Sequence, residues 1–194
     1  IRWCINIYQR KKNFVYSFVL LFSSYFGFSQ CGGTDNSITI CNKETYDQGL
    51  GNPTGVVNLF SLLGGAPVAG GTWTDLNGSG GLNVISGLLN TWAINQSGVF
   101  NYRYTRIGIP GCVDNTGIIT LTLGGFPGVD NLNAVACDNT TAVPLFSFLG
   151  SNPNPHFNGT WSGVGLPPGA LTGNFFNASL AGPGTYILTY TVPA

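Results

Sequence analysis

Two stretches of this chain are nearly the same. LFSLLGGAPVAGGTW begins at Leu59, and LFSFLGSNPNPHFNGTW begins at Leu145. Four pairs of landmarks keep the same order along the chain: Cys41 with Cys137, the two Leu-Phe-Ser runs, Trp73 with Trp161, and GVFNYRYT from Gly98 with GTYILTYT from Gly184. The small drift in the spacing between partners is what short loop insertions produce. The collinear order therefore predicts two copies of one module, and it argues against chance similarity.

The pattern within each copy predicts short β-strands. GVFNYRYT places Phe100, Tyr102 and Tyr104 on one face, and GIITLTL from Gly117 alternates in the same way. Glycine-rich turns such as LNGSGG and DNTG separate these segments. Many short strands joined by such turns are typical of an all-β fold, here a tandem of immunoglobulin-like β-sandwiches.

One segment departs from the strand pattern. Leu59, Leu62 and Leu63 fit helical spacing, with Asn58 as the N-cap and Gly64 just after the end. In the second copy, Pro144 occupies a position tolerated at the start of a helix. We therefore expect a single helical turn here, with a strand as the alternative.

The landmarks also set the expected domain boundaries. The first copy ends in GIPGCVDNTGIITLTLGG, whereas the second reaches only TYTVPA, so the second module is predicted to be truncated before its last strand. The expected order is a linker over 31–40, a first module over 41–124, a linker over 125–134 and a second module over 135–194. The sequence contains no Met, so residue 1 is not expected to be a natural start.

Residues 1–30 have the order of a signal peptide, preceded by a non-native extension over 1–9. A basic cluster comes before an apolar stretch from Phe14 to Phe22, and small and polar residues follow up to Gln30. A membrane anchor helix is the alternative, but the stretch is short and rich in Ser. Cleavage after Gln30 would leave Cys31 first, which keeps a lipidated Cys31 open. The localisation expected is secreted or at the extracellular cell surface.

Charge excludes some partners. Only 7% of the residues are charged, and after Gln30 there are three basic and seven acidic residues, which is a net charge of −4. Such a chain has no electrostatic footprint for nucleic acid. It also has no Lys/Arg cluster for an anionic membrane, so membrane contact is expected only through the signal peptide.

Four cysteines follow the signal segment, and they allow three full pairings. We expect a Cys41–Cys112 disulfide that ties the start of the first module to the turn before its last strand. Closing a loop of about 70 residues would stabilise the fold by roughly 4 kcal/mol. Cys137 is expected to lack a partner, and free buried thiols are the alternative. With one His and no Cys-x-x-Cys spacing, no metal site is expected.

Catalytic patterns are weak. His156, the only histidine, lies in NPNPHFNG and has no counterpart in the first copy, so we expect no catalytic triad. Most carboxylates stand in turn-forming pairs, and no phosphate loop or nucleophile elbow is present. DLNGSGG from Asp75 has too few acidic ligands for calcium and predicts a turn. The chain is therefore expected to be neither an enzyme nor dependent on a cofactor.

The repeat also separates candidate core residues from a candidate binding residue. Recurrence at one module position favours core packing over a binding role for six residues: Trp73, Trp161, Leu59, Leu145, Tyr104 and Tyr190. Trp92 has no clear counterpart, so it is the candidate for an exposed platform that binds sugars.

The order of a leading Cys, LFSLLGG, GGTW, GVFNYRYT, a Gly-Cys turn and an alternating last strand resembles a known type of module. It is similar to the immunoglobulin-like or PKD-like repeats of large Bacteroidetes surface proteins, including gliding-motility adhesins exported by type IX secretion. The resemblance covers Cys41 to Gly124 and about two-thirds of a second copy. It implies a non-catalytic extracellular stalk or adhesin whose partners are neighbouring modules, with surface glycans or other cells as further candidates. The alternative is a carbohydrate-binding module of a secreted protein.

Overall fold

The structure, a computed structural model, describes residues 29–48 and 55–193. The predicted signal peptide over 1–30 therefore lies outside the described residues except for its last two. No helix in the described part of the chain is long and apolar enough to cross a membrane. We call residues 29–124 the first unit and residues 125–193 the second unit.

The described residues of the first unit form eight strands: β1 (Ser29–Gln30), β2 (Asn36–Ile40), β3 (Val56–Asn58), β4 (Thr72–Asp75), β5 (Leu88–Asn90), β6 (Gly98–Thr105), β7 (Cys112–Asp114) and β8 (Thr116–Leu123). Four of them form a sheet in the order β2-β8-β6-β4, while β3 pairs with β5 and β1 pairs with β7. Strand β8 is antiparallel to β6 and parallel to β2. Its residues Ile119, Leu121 and Leu123 are fully buried. They form the centre of an apolar core that β6 and the Leu59 segment complete.

The second unit contains five strands and one short α-helix: β9 (Val143–Pro144), β10 (Thr160–Gly163), β11 (Leu171–Thr172), β12 (Phe175–Phe176), α1 (Ala178–Ala181) and β13 (Leu188–Thr191). Strand β10 pairs with β13, and β11, β12 and β9 form a second sheet. A separate apolar cluster lies around Val143, Leu145 and Phe176. Together with the first unit, these sheets confirm the predicted all-β class.

The two units repeat one order of elements. Strands β3, β4, β5 and β6 correspond to β9, β10, β12 and β13, and a 3-10 helix follows both β3 and β9. The pairing repeats too, because Trp73 lies opposite Tyr104 just as Trp161 lies opposite Tyr190. The repeat seen in the sequence is therefore also a repeat of structure.

The predicted helical turn is confirmed as a 3-10 helix over Leu59–Leu62. The side chain of Asn58 accepts a hydrogen bond from the backbone N–H of Ser61, as an N-cap does. The matching 3-10 helix spans Leu145–Phe148. There Pro144 is the cap rather than the first helical residue, since its backbone is still extended.

Each unit has the same aromatic cluster at the centre of its repeat. Phe60 packs edge-on against Tyr104 at 5.4 Å between ring centroids, and Trp73 lies 5.1 Å from the same ring. The second unit matches this with three residues at similar spacings: Phe146, Trp161 and Tyr190. Such offset and edge-on contacts stabilise aromatic pairs beyond simple area burial.

The hydroxyl of each repeated tyrosine makes two equivalent hydrogen bonds. Tyr104 donates to the carbonyl oxygen of Val68 at 2.6 Å and accepts from the N–H of Gly71 at 2.8 Å. In the second unit the corresponding partners of Tyr190 are the carbonyl of His156 and the N–H of Gly159. The Gly-Thr-Trp motif is thereby explained, because a Cβ on either glycine would overlap the backbone oxygen of the neighbouring strand.

Two predictions about the start of the first unit are wrong. Residues 31–40 are not a linker, because β2 occupies 36–40 and pairs along its whole length with β8. The disulfide joins Cys31, not Cys41, to Cys112, with 5.6 Å between the Cα atoms. A bond between the two Sγ atoms also leaves Cys31 without a free thiol for a lipid.

The parallel pairing of β2 with β8 is the physical reason for the different disulfide. Cys112 precedes β8, and β1 beside β7 brings Cys31 to it. Cys41 follows β2 at the other end of β8, where its carbonyl oxygen lies against Gly124. Eight strand residues separate these ends by about 26 Å, far beyond disulfide reach. Cys41 and Cys137 are free and exposed, which agrees with the expectation for Cys137.

Candidate functional site

The two units meet at a junction that buries Lys43, the only lysine after residue 12. Its side chain is 0% exposed, and its Nζ donates a hydrogen bond of 2.9 Å to the carbonyl oxygen of Ile94. The Nζ atom also lies 5.7 Å from the centroid of the Phe126 ring. Within the described part of the chain, Lys43 therefore has one hydrogen-bond acceptor and one aromatic face in place of water.

Phe126 lies at the start of the second unit, and it exchanges two hydrogen bonds with His156. The N–H of Phe126 donates to Nδ1 of His156 at 3.0 Å, and the N–H of His156 donates to the carbonyl oxygen of Phe126 at 2.8 Å. Both residues are buried. Because Nδ1 accepts, the neutral ring carries its proton on Nε2. That Nε2 is buried and has no hydrogen-bond partner in the described part of the chain.

Burial controls the charge of both groups. It lowers the pKa of Lys43 from 10.5 to about 8, so the amine is still mostly protonated at neutral pH. Burial, and then the charge of Lys43, lower the pKa of His156 from 6.5 to about 4. The junction therefore contains one cation and one neutral imidazole at pH 7.

Polar residues surround this buried pair. The amide of Asn158 and the backbone and hydroxyl of Ser97 exchange three hydrogen bonds between the units. The Ser97 hydroxyl also donates to the carbonyl oxygen of Pro193, and the N–H of Phe157 donates to that of Asn95. A buried centre and a hydrogen-bonded rim are typical of a specific protein interface.

The start of the predicted linker over 125–134 takes part in this junction. Gly125 lies against Val192 and Pro193, where a Cβ would be within 2.8 Å of the Pro193 oxygen. The N–H of Val129 donates to the carbonyl oxygen of Leu149. Residues 125–129 of the predicted linker are therefore packed against the second unit.

His156 makes none of the contacts that a catalytic base needs. Its Nδ1 is occupied by a backbone N–H, and its carbonyl oxygen accepts from Tyr190. A base in a triad would instead be oriented by a carboxylate and face a nucleophile. The contacts of His156 thus join parts of the junction to one another. Among the described residues, no group of three or more His, Cys, Asp or Glu side chains could hold a metal ion.

The turn from Asp75 is held by its own side chains. The carboxylate of Asp75 accepts from the N–H groups of Asn77 and Gly80 and from the hydroxyl of Ser79. Ser79 also contacts the hydroxyl of Tyr102, whose pKa rises chiefly because of burial. These contacts hold the segment in the predicted turn.

The tryptophans lie in different surroundings. Trp73 is 4% exposed, as predicted for a core residue, and four of its predicted core companions are also buried: Leu59, Leu145, Tyr104 and Tyr190. Trp161 is only partly buried. Trp92, the predicted platform, is half-buried, and its Nε1 donates to the carbonyl oxygen of Lys43 at 2.8 Å. Trp92 therefore supports the junction and does not form an open face.

An open cleft of about 280 Å³ lies beside Trp161. Its lining residues are Gly159, Thr160, Trp161, Leu171, Gly173 and Asn174. In the first unit, the N–H of Trp73 donates to the carbonyl oxygen of Val84, and Gly87 lies against the indole. In the corresponding segment of the second unit, a Cβ added to Gly173 would meet no atom within 4 Å, so the cleft beside Trp161 stays open.

Comparison with protein families, with curated proteins and with solved structures found no match for this chain. The sequence pattern did not predict this junction. Lys43 and His156 are isolated ionisable residues in a chain with few charges, and this isolation could have indicated that they are buried at a specific contact.

Proposed function

We propose that this protein is a non-catalytic extracellular repeat protein that acts as a structural stalk or adhesin at a bacterial cell surface, built from immunoglobulin-like modules in series. The observation that carries the proposal is the junction between the units. A stalk needs neighbouring modules to hold a fixed direction, and here the reciprocal Phe126–His156 pair and the Ser97–Asn158 bonds act together. The junction uses the only histidine of the chain for packing and not for chemistry.

Two other features support work outside the cell. The Cys31–Cys112 disulfide is of the kind that persists in oxidising compartments. The surface depends on Asn, Thr and Ser for its polarity, so it is hydrated without strong charge. Both features fit a module that is stacked many times and exposed to proteases.

Rotational diffusion measured by ¹⁵N NMR relaxation tests the stalk. We expect both units to tumble with one correlation time, as a single elongated body. The matched variant Asn158→Ala removes the three Ser97–Asn158 bonds and leaves both cores intact, so it should loosen the coupling. Two separate correlation times in the unmodified protein would contradict the proposal. Adhesion is tested with beads coated with the protein, which should attach to other cells more than control beads coated with the unfolded protein do.

The cleft at Trp161 favours a second candidate function, carbohydrate binding. An indole face with hydroxyl and amide groups at its border is the usual chemistry of a sugar site. A glycan array on the whole protein should show binding that Asn174→Ala weakens and Trp92→Phe leaves unchanged. Binding that depends on Trp92, or no binding at all, would reject this candidate.

A further inference from the structure

The sheet that contains β13 has an open edge. In the first unit, β6 lies between β4 and β8. Its counterpart β13 pairs with β10, the counterpart of β4, and no other strand in the described part of the chain pairs with it. The unpaired edge of β13 therefore corresponds to the edge of β6 that pairs with β8.

Side chains that β8 covers in the first unit are more exposed in the second. Phe100 and Tyr102 of β6 are buried against the β8 layer. Their counterparts Tyr186 and Leu188 are only half-buried. Ile187 between them lies on the other face of the strand and is 76% exposed. The second core thus lacks one layer of apolar side chains.

The other neighbour of β8 is also present in the second unit, and it is unpaired. Residues 132–136 precede Cys137 as β2 precedes Cys41, and they form no strand. Leu132 is 93% exposed and Val135 is 85% exposed. Counterparts of both neighbours of β8 are therefore present in the second unit, and both expose apolar side chains to solvent.

We propose that the second unit binds one further β-strand, antiparallel to β13 and parallel to residues 132–136, supplied by polypeptide outside residues 29–193. The occupant has the chemistry of β8: aliphatic side chains at alternate positions that face the core, and threonines on the other face. Backbone hydrogen bonds along β13 would provide affinity, and the alternate aliphatic side chains would provide specificity. The inference rests on the repeated order of elements in the two units and does not depend on the proposed function as a stalk or adhesin.

A second copy of this chain fits the edge less well. Pairing of two open β13 edges would bring one core-facing aliphatic residue, Leu188, where β8 brings Ile119, Leu121 and Leu123. It would also leave residues 132–136 uncovered. The shape of the gap therefore favours a single inserted strand over a dimer.

A synthetic peptide with the sequence of residues 115–124, NTGIITLTLG, is the probe. Its binding is followed by ¹⁵N NMR and amide hydrogen exchange of the whole protein. We expect exchange to slow at residues 186–191 and at residues 132–136, with little change in β6. A control peptide with serine in place of Ile119, Leu121 and Leu123 should bind roughly a thousandfold more weakly or worse, because three buried aliphatic side chains are lost.

Equal binding of the two peptides would overturn the proposal. So would a dimer in light scattering whose β13 amides are already protected without peptide. Because the peptide could self-associate, two fusion proteins provide a second test. One carries the aliphatic strand and the other its serine form, each fused after Ala194 through a glycine-rich loop. Only the aliphatic fusion should protect β13, and equal protection by both fusions would reject the inserted strand.

Discussion

His156 makes the stability of the protein depend on pH in a way that can be calculated. Its pKa is 6.5 in the unfolded chain and about 4 in the folded protein, so between these values only the unfolded chain binds the proton. The stability is complete above pH 6.5 and falls as the pH falls towards 4. At pH 5 the loss is about 2 kcal/mol, and below pH 4 it levels off at roughly 3 kcal/mol.

The structural reason is the direction of the hydrogen bond at the junction. Protonation would place an N–H on Nδ1, directly opposite the N–H of Phe126, and the acceptor would be lost. The new positive charge would also be buried beside Lys43. The other ionisable group in contact with His156 is Tyr190, which donates to its carbonyl oxygen and stays neutral in this pH range.

Urea unfolding at pH 7, 6 and 5, followed by tryptophan fluorescence, measures this loss. His156→Asn is the matched control, because its side-chain oxygen can accept from Phe126 and does not titrate. The unmodified protein should lose about 2 kcal/mol more than this variant between pH 7 and pH 5. Since the chain has one histidine, NMR titration of the imidazole gives the folded pKa directly. A midpoint near 6.5, or equal losses in both proteins, would refute the reasoning.

Three other outcomes follow from the contacts described. Mass spectrometry without reduction should show a peptide pair that contains Cys31 and Cys112, with Cys41 open to alkylation; a Cys41–Cys112 peptide would contradict the structure. Reduction should lower the free energy of unfolding by about 4.5 kcal/mol, because the bond closes a loop with a separation of 81 residues. Tyr104→Phe removes one donor and one acceptor and should lower the free energy of unfolding by about 1–3 kcal/mol in urea titrations, whereas an unchanged midpoint would show that these bonds contribute nothing. Gly71→Ala should destabilise the first unit more than Tyr104→Phe does, because the new Cβ overlaps backbone that cannot move aside; equal thermal midpoints would argue against that overlap.

The sequence predicted the features that depend on local pattern. The alternation of Phe100, Tyr102 and Tyr104 correctly predicted β6, since one face of a strand is buried when every second residue is apolar. The cap and spacing at Asn58 and Leu59 predicted the helical turn. The repeat identified Trp73 as a core residue because two copies share one role at that position.

Features that depend on strand direction could not be predicted. Nothing in residues 36–40 shows whether the segment pairs with β8 in a parallel or an antiparallel direction, and that choice decides which cysteine faces Cys112. The burial of Lys43 has a similar cause. Its neighbours Ile94 and Phe126 are distant in sequence, and only the closed junction brings them together.

The Cys31–Cys112 bond also decides how this protein would carry a mechanical load. A pull along the chain enters at residue 31, crosses the two sulfur atoms to residue 112, and continues through β7 and β8 to the second unit. The residues between the two cysteines form a loop outside this path, so they cannot be drawn out while the bond is intact. In the oxidised protein, tension in the first unit would act on β8, whose neighbours β2 and β6 would have to slide along it. Reduction would move the load to the parallel hydrogen bonds between β2 and β8 and release the whole unit for extension.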